Sequence, residues 1–219
     1  MRDGRIVTAG TAMARSFLPR SCWLALALLA LVAGCGSVVD PPRPRTFLVH
    51  LEPGVEGART QHKSAATVYV APAVVTAPFS GRSLVVRQTE LGFMTDPYAE
   101  FAASPVSMWT DAVRGWLEAR HLFERVLPSD SSADASLTLE THLLEAVVDR
   151  RTGQPPASRV TVRFLLIQNG QPYHVLLDRT FTRAEPVNGS GAEREVAALS
   201  VAFEHVLRDL EAAVTQMPD

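Results

Sequence analysis

Cysteine is nearly missing from this chain, with two in 219 residues. That is too few for a disulfide framework, and two thiols alone cannot hold a structural zinc. A dominant charge is missing as well: 21 basic against 23 acidic residues leave a formal charge of −2, which excludes a protein held to nucleic acid by phosphate neutralisation. No apolar run reaches the roughly 20 residues of a membrane-spanning helix. The longest, Trp23–Ala33, has 11 residues and would extend about 16 Å as a helix. Catalytic signatures are lacking too. There is no GxSxG elbow, phosphate-binding loop, glycine-rich dinucleotide fingerprint or HExxH pair. The six histidines (His50, His62, His121, His142, His174, His205) are scattered. His142 and His174 could meet across adjacent strands, but polar positions on a solvated sheet face account for them equally. Gly189-Ser190-Gly191 reads either as an anion cradle at a helix start or as a plain loop and cap. Glu193 and Glu195 read as first-turn charges that suit the helix dipole. No catalytic residue, metal site or cofactor is expected, and the chain does not read as an enzyme.

What is present begins with an address. Arg2, Arg5, Arg15 and Arg20 precede the 11-residue apolar run, the arrangement of a signal peptide. Met13 opens a second, compact version of the same pattern, so translation could start at either methionine. The run ends in Val32-Ala33-Gly34-Cys35, which resembles the bacterial lipobox. That resemblance implies diacylglyceryl transfer to Cys35, cleavage after Gly34, and a further acyl chain such as palmitate on the new amino terminus. An ordinary secretory cleavage site followed by a cysteine is the alternative. Gly36, rather than the aspartate that retains lipoproteins in the inner membrane, points to an outer-membrane anchor facing the periplasm. The organisation read from the sequence is therefore a leader over 1–34, a lipidated cysteine with a proline-rich tether over 35–45, and one domain over 46–219. Processing removes four arginines and one aspartate and leaves 185 residues with a formal charge of −5. Cys35, covalently lipidated, is then the one remaining cysteine. The ten tether residues Gly36–Arg45, three of them proline, span at most roughly 30 Å at about 3.1 Å per residue.

Past the tether the periodicity is that of an α+β domain. Thr46–Leu51 reads as a strand ended by Pro53-Gly54, and Val55–Ala66 as a loop. Thr67–Val75 is β-branched and apolar, with Pro72 demoting its second half. Ser83–Arg87 reads as a hairpin partner. Ser104-Pro105 opens a helix with Ser104 as N-cap, and its stripe is Val106, Trp109, Ala112, Val113, Trp116 and Leu117. Three strands with a period of two follow, around Leu137–Leu143, Arg159–Leu166 and Tyr173–Phe181. Asn169-Gly170 suits a two-residue type I′ turn between the last two. Ser190 and Glu193 fit a capping box for a final helix with the stripe Val196, Leu199, Phe203, Val206, Leu207, Leu210 and Val214. These elements imply a single mixed, largely antiparallel sheet of about six strands, with two amphipathic helices packed on one face. The aromatic stretch Phe93–Phe101 is less periodic, broken by Asp96-Pro97. An apolar loop beside a helix start is a candidate edge for a partner or an acyl chain, with Phe93, Tyr98 and Phe101 as its contacts.

The order of these elements resembles the ABC-type transport auxiliary lipoproteins, the family that includes the PqiC lipoproteins. The residues that carry the likeness are Val68-Tyr69-Val70-Ala71-Pro72, Gly81–Arg87, Tyr98, Phe101–Pro105, Leu122-Phe123-Glu124-Arg125-Val126 and Ala197-Ala198. It extends from residue 46 to about 214. Phe101-Ala102 stands where the family often has tryptophan and alanine, which keeps the apolar bulk and loses an indole donor. The resemblance implies a non-enzymatic accessory or docking subunit of an ABC transport system. Its partners would be a permease, an ATPase and an MCE-type substrate-binding protein, moving lipids or other apolar compounds across the envelope. A periplasmic lipid carrier and a lipoprotein regulator of a cell-envelope enzyme are the competing readings. Replacement of Cys35 by alanine is expected to release the protein from the membrane fraction without unfolding its domain. Fractionation and circular dichroism check this, and a Cys35→Ala protein still sedimenting with outer membranes would contradict it.

Overall fold

The computed structural model describes residues 43–51 and 64–217. The leader, Cys35, most of the tether and the Pro53-Gly54 turn lie outside the described residues, as does most of the expected Val55–Ala66 loop. The backbone is organised around one long strand. Leu137–Asp149, here β7, alternates Leu137, Leu139, Thr141 and Leu143 inward, slips by one residue between Leu143 and Glu145, and then buries Ala146 and Val148. Along one edge it pairs antiparallel with β8 (Ala157–Gln168), which in turn pairs antiparallel with β9 (His174–Pro186).

The other edge of β7 is covered piecemeal by the preceding chain. Three successive segments, β2 (Ser64–Val70), β3 (Val74–Val75) and β4 (Ser83–Arg87), run parallel to it. Val70 stands opposite Leu139, Val75 opposite Leu143, and Arg87 opposite Asp149. Pro72 explains the first interruption, since it has no N–H to give to a ladder. A 3₁₀ turn at Ala77–Phe79, containing Pro78, explains the second. At the first break the N–H of Ala73 turns away from β7 and donates to Thr110 Oγ1 at 2.8 Å.

Because β2 and β4 meet different stretches of β7, each diverges to its own outer partner. β2 is flanked by β6 (Phe123–Leu127), parallel to it, and β4 by β5 (Phe93–Phe101), antiparallel to it. β1 (Arg45–Phe47) lies parallel on the far side of β5. Among the described residues the result is a sheet of nine strands, against about six read from the sequence. Phe93–Phe101, expected as a loop, is a strand whose period is hidden by a bulge. Leu84 pairs with Asp96 and Ser83 with Glu100, so Pro97 falls where no ladder bond is needed. The expected first strand, Thr46–Leu51, keeps its pairing only to Phe47 and continues as an irregular strap.

Both helices cover one face of this sheet. In α1 (Pro105–Arg120) Ser104 Oγ accepts the N–H of Ser107 at 3.2 Å, and His121 closes the helix in the left-handed region at φ 53°. Met108, Trp109, Val113, Trp116 and Leu117 face inward, whereas Val106, expected in the stripe, is 38% exposed. α2 (Ala192–Thr215) buries all seven stripe residues read from its periodicity. Its cap differs from the expected box. Gly191, at φ 98°, is the N-cap without a side-chain bond, and Glu193 instead meets Arg45 at 3.0 Å. The hairpin after β8 also departs from expectation. Five residues, Asn169–Tyr173, connect β8 to β9, and Asn169 Nδ2 donates to the carbonyl of Ala135 at 2.9 Å.

The two helices touch at Trp109 and Phe203, whose rings meet edge to face with centroids 4.4 Å apart. Beneath them β8 presents Ser158, Val160, Val162, Phe164 and Leu166, all fully buried. Replacing Thr110 by valine keeps the volume but leaves the buried N–H of Ala73 without an acceptor. A loss of about 1–3 kcal/mol in denaturant-measured stability is expected, with Thr110→Ser much closer to the parent. Equal behaviour of the two variants would contradict this account of the break at Pro72.

Candidate functional site

The aromatic stretch divides in two once β5 forms. Phe101 is 6% exposed and joins the core, where β1, β4 and the start of α1 enclose it. Its backbone N–H donates to the carbonyl of Arg82 at 2.7 Å, and Arg82 Nε donates to the carbonyl of Phe101 at 2.8 Å. Its side chain is thereby withheld from any outside partner. Phe93 and Tyr98 remain on the surface, with 49% and 45% of their area exposed. Tyr98 sits at the bulge, where its N–H donates to Asp96 Oδ1 at 2.8 Å.

Phe93 follows directly on a stiffened hairpin tip spanning residues 88–92. The N–H groups of Gln88 and Thr89 converge on the carbonyl of Gly92 at 2.9 and 3.3 Å. A Cβ on residue 92 would approach Thr89 Oγ1 to 2.5 Å, so any larger residue there would push the Thr89 side chain to another rotamer. Leu91 stands almost free at the apex. The Arg87 guanidinium lies 5.4 Å from the Phe93 ring centroid and donates to the carbonyl of Glu90 at 2.9 Å and to its carboxylate at 2.8 Å.

Glu90 is also paired with Arg151, which grips the buried Asp149 through Nη2 at 2.7 Å and Nε at 3.0 Å. Arg159 stands 3.7 Å from the same carboxylate. The Arg151 hydrogen bond, reinforced by the charges of Arg151 and Arg159, holds the Asp149 carboxyl below its ordinary value against the opposing pull of burial. A chain of charges therefore ties the hairpin tip to the last residue of β7.

The strap after β1 creates two open grooves over the helices. The carbonyl of Phe47 accepts from Ala102 N–H at 2.8 Å, and the N–H of His50 donates to Ser200 Oγ at 3.1 Å. On the α1 side, Leu48, Val49 and Leu51 with Met108, Ala112 and Trp116 border a groove of about 390 Å³. Trp116 is 2% exposed, and its Nε1–H finds no acceptor among the described residues. On the α2 side a groove of about 410 Å³ lies against Phe47, His50, Val196 and Val201.

The polar positions flagged in the sequence sit apart from one another. His142 on β7 stands opposite Arg163, whereas His174 on β9 stands opposite Gln168, with β8 between the two strands. His142 neighbours Glu140 at 3.5 Å. Arg163 and Asp178 form a two-pronged pair on the open sheet face at 2.7 and 2.6 Å. The first turn of α2 is occupied by carboxylates, Glu193 with Arg45 and the buried Glu195 with Arg150. Among the described residues no group of three or more histidine, cysteine, aspartate or glutamate side chains could hold a metal ion. No described helix is long and apolar enough to cross a membrane.

A family model described as ABC-type transport auxiliary lipoprotein component matches residues 50–211. No curated protein matches the chain. Among solved structures, protein XCC0632 from Xanthomonas campestris (family DUF330) superposes with a TM-score of 0.63 at 18% identity, covering 79% of this chain and 94% of that one. An uncharacterized protein superposes with the same TM-score at 12% identity, covering 78% and 99%. At those identities the likeness is one of fold.

Asp149 carries a pH prediction. Its folded-state pKa lies below the ordinary value, so the stability it contributes is present above about pH 4. That contribution is lost as the pH falls through the lowered folded-state value. Asp149→Asn should be less stable than the parent at neutral pH and should converge with it in acid. A constant difference from pH 7 to pH 3 in denaturation midpoints would refute the assignment.

Proposed function

The chain belongs to the family of ABC-type transport auxiliary lipoprotein components, and on that footing we propose that it is the anchored accessory subunit of such a transporter. In this reading a lipid on Cys35 fastens it to the outer membrane, and the domain faces the periplasm. There it docks an MCE-type substrate-binding protein that works with an ABC permease and ATPase on lipids or other apolar compounds. The extent of the family match carries the reading. Residues 50–211 run from the strap into the last turns of α2, so the likeness takes in every strand but β1 and most of both helices rather than one motif. The arrangement of surface groups supports a role in binding: exposed aromatics stand on a stiffened hairpin, and the charged pairs serve to hold elements together.

A lipid carrier acting alone is the second reading, favoured by the apolar groove beside Trp116. An acyl chain there would meet Leu48, Val49 and Met108. Affinity capture of the lipidated protein from detergent-solubilised envelopes separates the two readings. Co-purification of an ABC permease, its ATPase and an MCE protein is the expected result. Recovery of the protein alone, with lipid bound in stoichiometric amount, would favour the carrier and overturn the accessory role.

A further inference from the structure

One end of the sheet gathers features that the transport reading does not use. β1 runs parallel to β5 with Arg45 opposite Ala99, so the chain upstream of Arg45 heads toward the beginning of β5. The 88–92 hairpin tip lies in that direction. Arg87 at the end of β4 stands opposite Asp149 at the end of β7, and β8 starts opposite the end of β9 at the same level. This end therefore carries the hairpin tip, the 150–156 loop and the start of α2, and the tether joins the domain short of it, beside Ala99.

The lengths agree. Ten residues separate Cys35 from Arg45, a reach of roughly 30 Å at most in extended form. The start of β5 lies about 13 Å from Glu100 in the same direction, four strand steps at about 3.3 Å each, because the bulge sets four residues of β5 against one step of β4. A lipid on Cys35 is thus able to bring the bilayer to the tip.

The tip carries apolar side chains outward beside the exposed Gln88, Thr89 and Glu90. Leu91 is 92% exposed, Phe93 49% and Met94 46%. The carboxylate of Glu90 is matched by both Arg87 and Arg151. Tyr98 stands further back along β5. This is the pattern of a short interfacial anchor, with aliphatic and aromatic side chains at the apex and a phenol behind them.

We propose that the 88–92 tip, with Phe93 and Met94, inserts into the headgroup boundary of the bilayer that holds the Cys35 lipid. This second contact turns a single-point leash into a fixed orientation, in which the hairpin end faces the membrane and the 169–173 end faces the aqueous space. The proposal rests on the anchored-lipoprotein reading above.

The test uses the full-length, lipidated protein. With the Cys35 thiol acylated and Cys22 removed with the leader, Leu91→Cys supplies one labelling position, and Tyr173→Cys, 69% exposed at the opposite end, supplies the control. Each is labelled with a polarity-sensitive fluorophore and reconstituted into phosphatidylethanolamine–phosphatidylglycerol vesicles with or without doxyl-labelled lipid. Mass spectrometry records acylation of Cys35. The expected result is a blue shift and loss of most emission to doxyl lipid at position 91, with neither effect at position 173. Acylated, vesicle-bound protein whose position 91 is quenched by aqueous iodide and not by doxyl lipid would overturn the insertion and leave the anchor intact. Shielding of position 91 from both quenchers would overturn the insertion equally, because a protein surface then covers the tip. An unacylated Cys35 and protein that floats free of vesicles would overturn the anchor reading and the insertion together.

Discussion

The edge of β7 is the constraint on which the rest of the architecture depends. Thirteen residues of central strand present a row of backbone donors and acceptors that cannot be left dry and unpaired. On one side β8 satisfies them with a single long antiparallel run. On the other the chain covers them in three parallel steps, and each interruption has a cost that another element meets. Thr110 accepts the stray N–H at Ala73, which brings α1 against the break. The separation of β2 from β4 opens room for β6, β5 and β1. A sheet that started as a simple meander thus branches, and its branch carries the exposed hairpin.

How far this was legible in the sequence depends on whether a signal was local. The β7, β8 and β9 strands and the stripe of α2 announce themselves by period, because residues two apart in a strand, or three and four apart in a helix, share one face. The Ser104-Pro105 start is equally plain, since its cap is made by residues three apart. Harder cases fail for identifiable reasons. Asp96-Pro97 breaks the alternation of β5, and only the bulge opposite Ser83 and Leu84 restores it. Ser190 and Glu193 satisfy a local capping pattern, yet Arg45 draws Glu193 away from the box. Val106 and Met108 exchange places between surface and core because the strap at Leu48–Leu51 passes over α1, a long-range contact that periodicity cannot encode.

The candidate surface followed the same division. Aromatic content marked the region of Phe93, Tyr98 and Phe101, but composition assigns no side. Pairing with β1 and β4 sends Phe101 inward, and the bulge leaves Tyr98 outside. The ties from Arg87 and Arg151 to Glu90, with Asp149 behind them, join residues 61 positions apart and less. No reading of a single segment reveals that the end of β7 steadies the tip of another hairpin. The family likeness extends from residue 50 to residue 211, over many elements rather than one short motif.

The parallel pairing of β1 with β5 also determines how the domain responds to force. When a pull through the tether runs along the strand, toward the start of β5, the bonds between Arg45–Phe47 and Ala99–Phe101 are loaded in shear and yield together. A pull across the strand would instead open them one at a time. Arg45 adds its pair with Glu193 at the point where tension arrives. Three residues of strand are a small clamp, but a partner tugging along their axis strains them all at once.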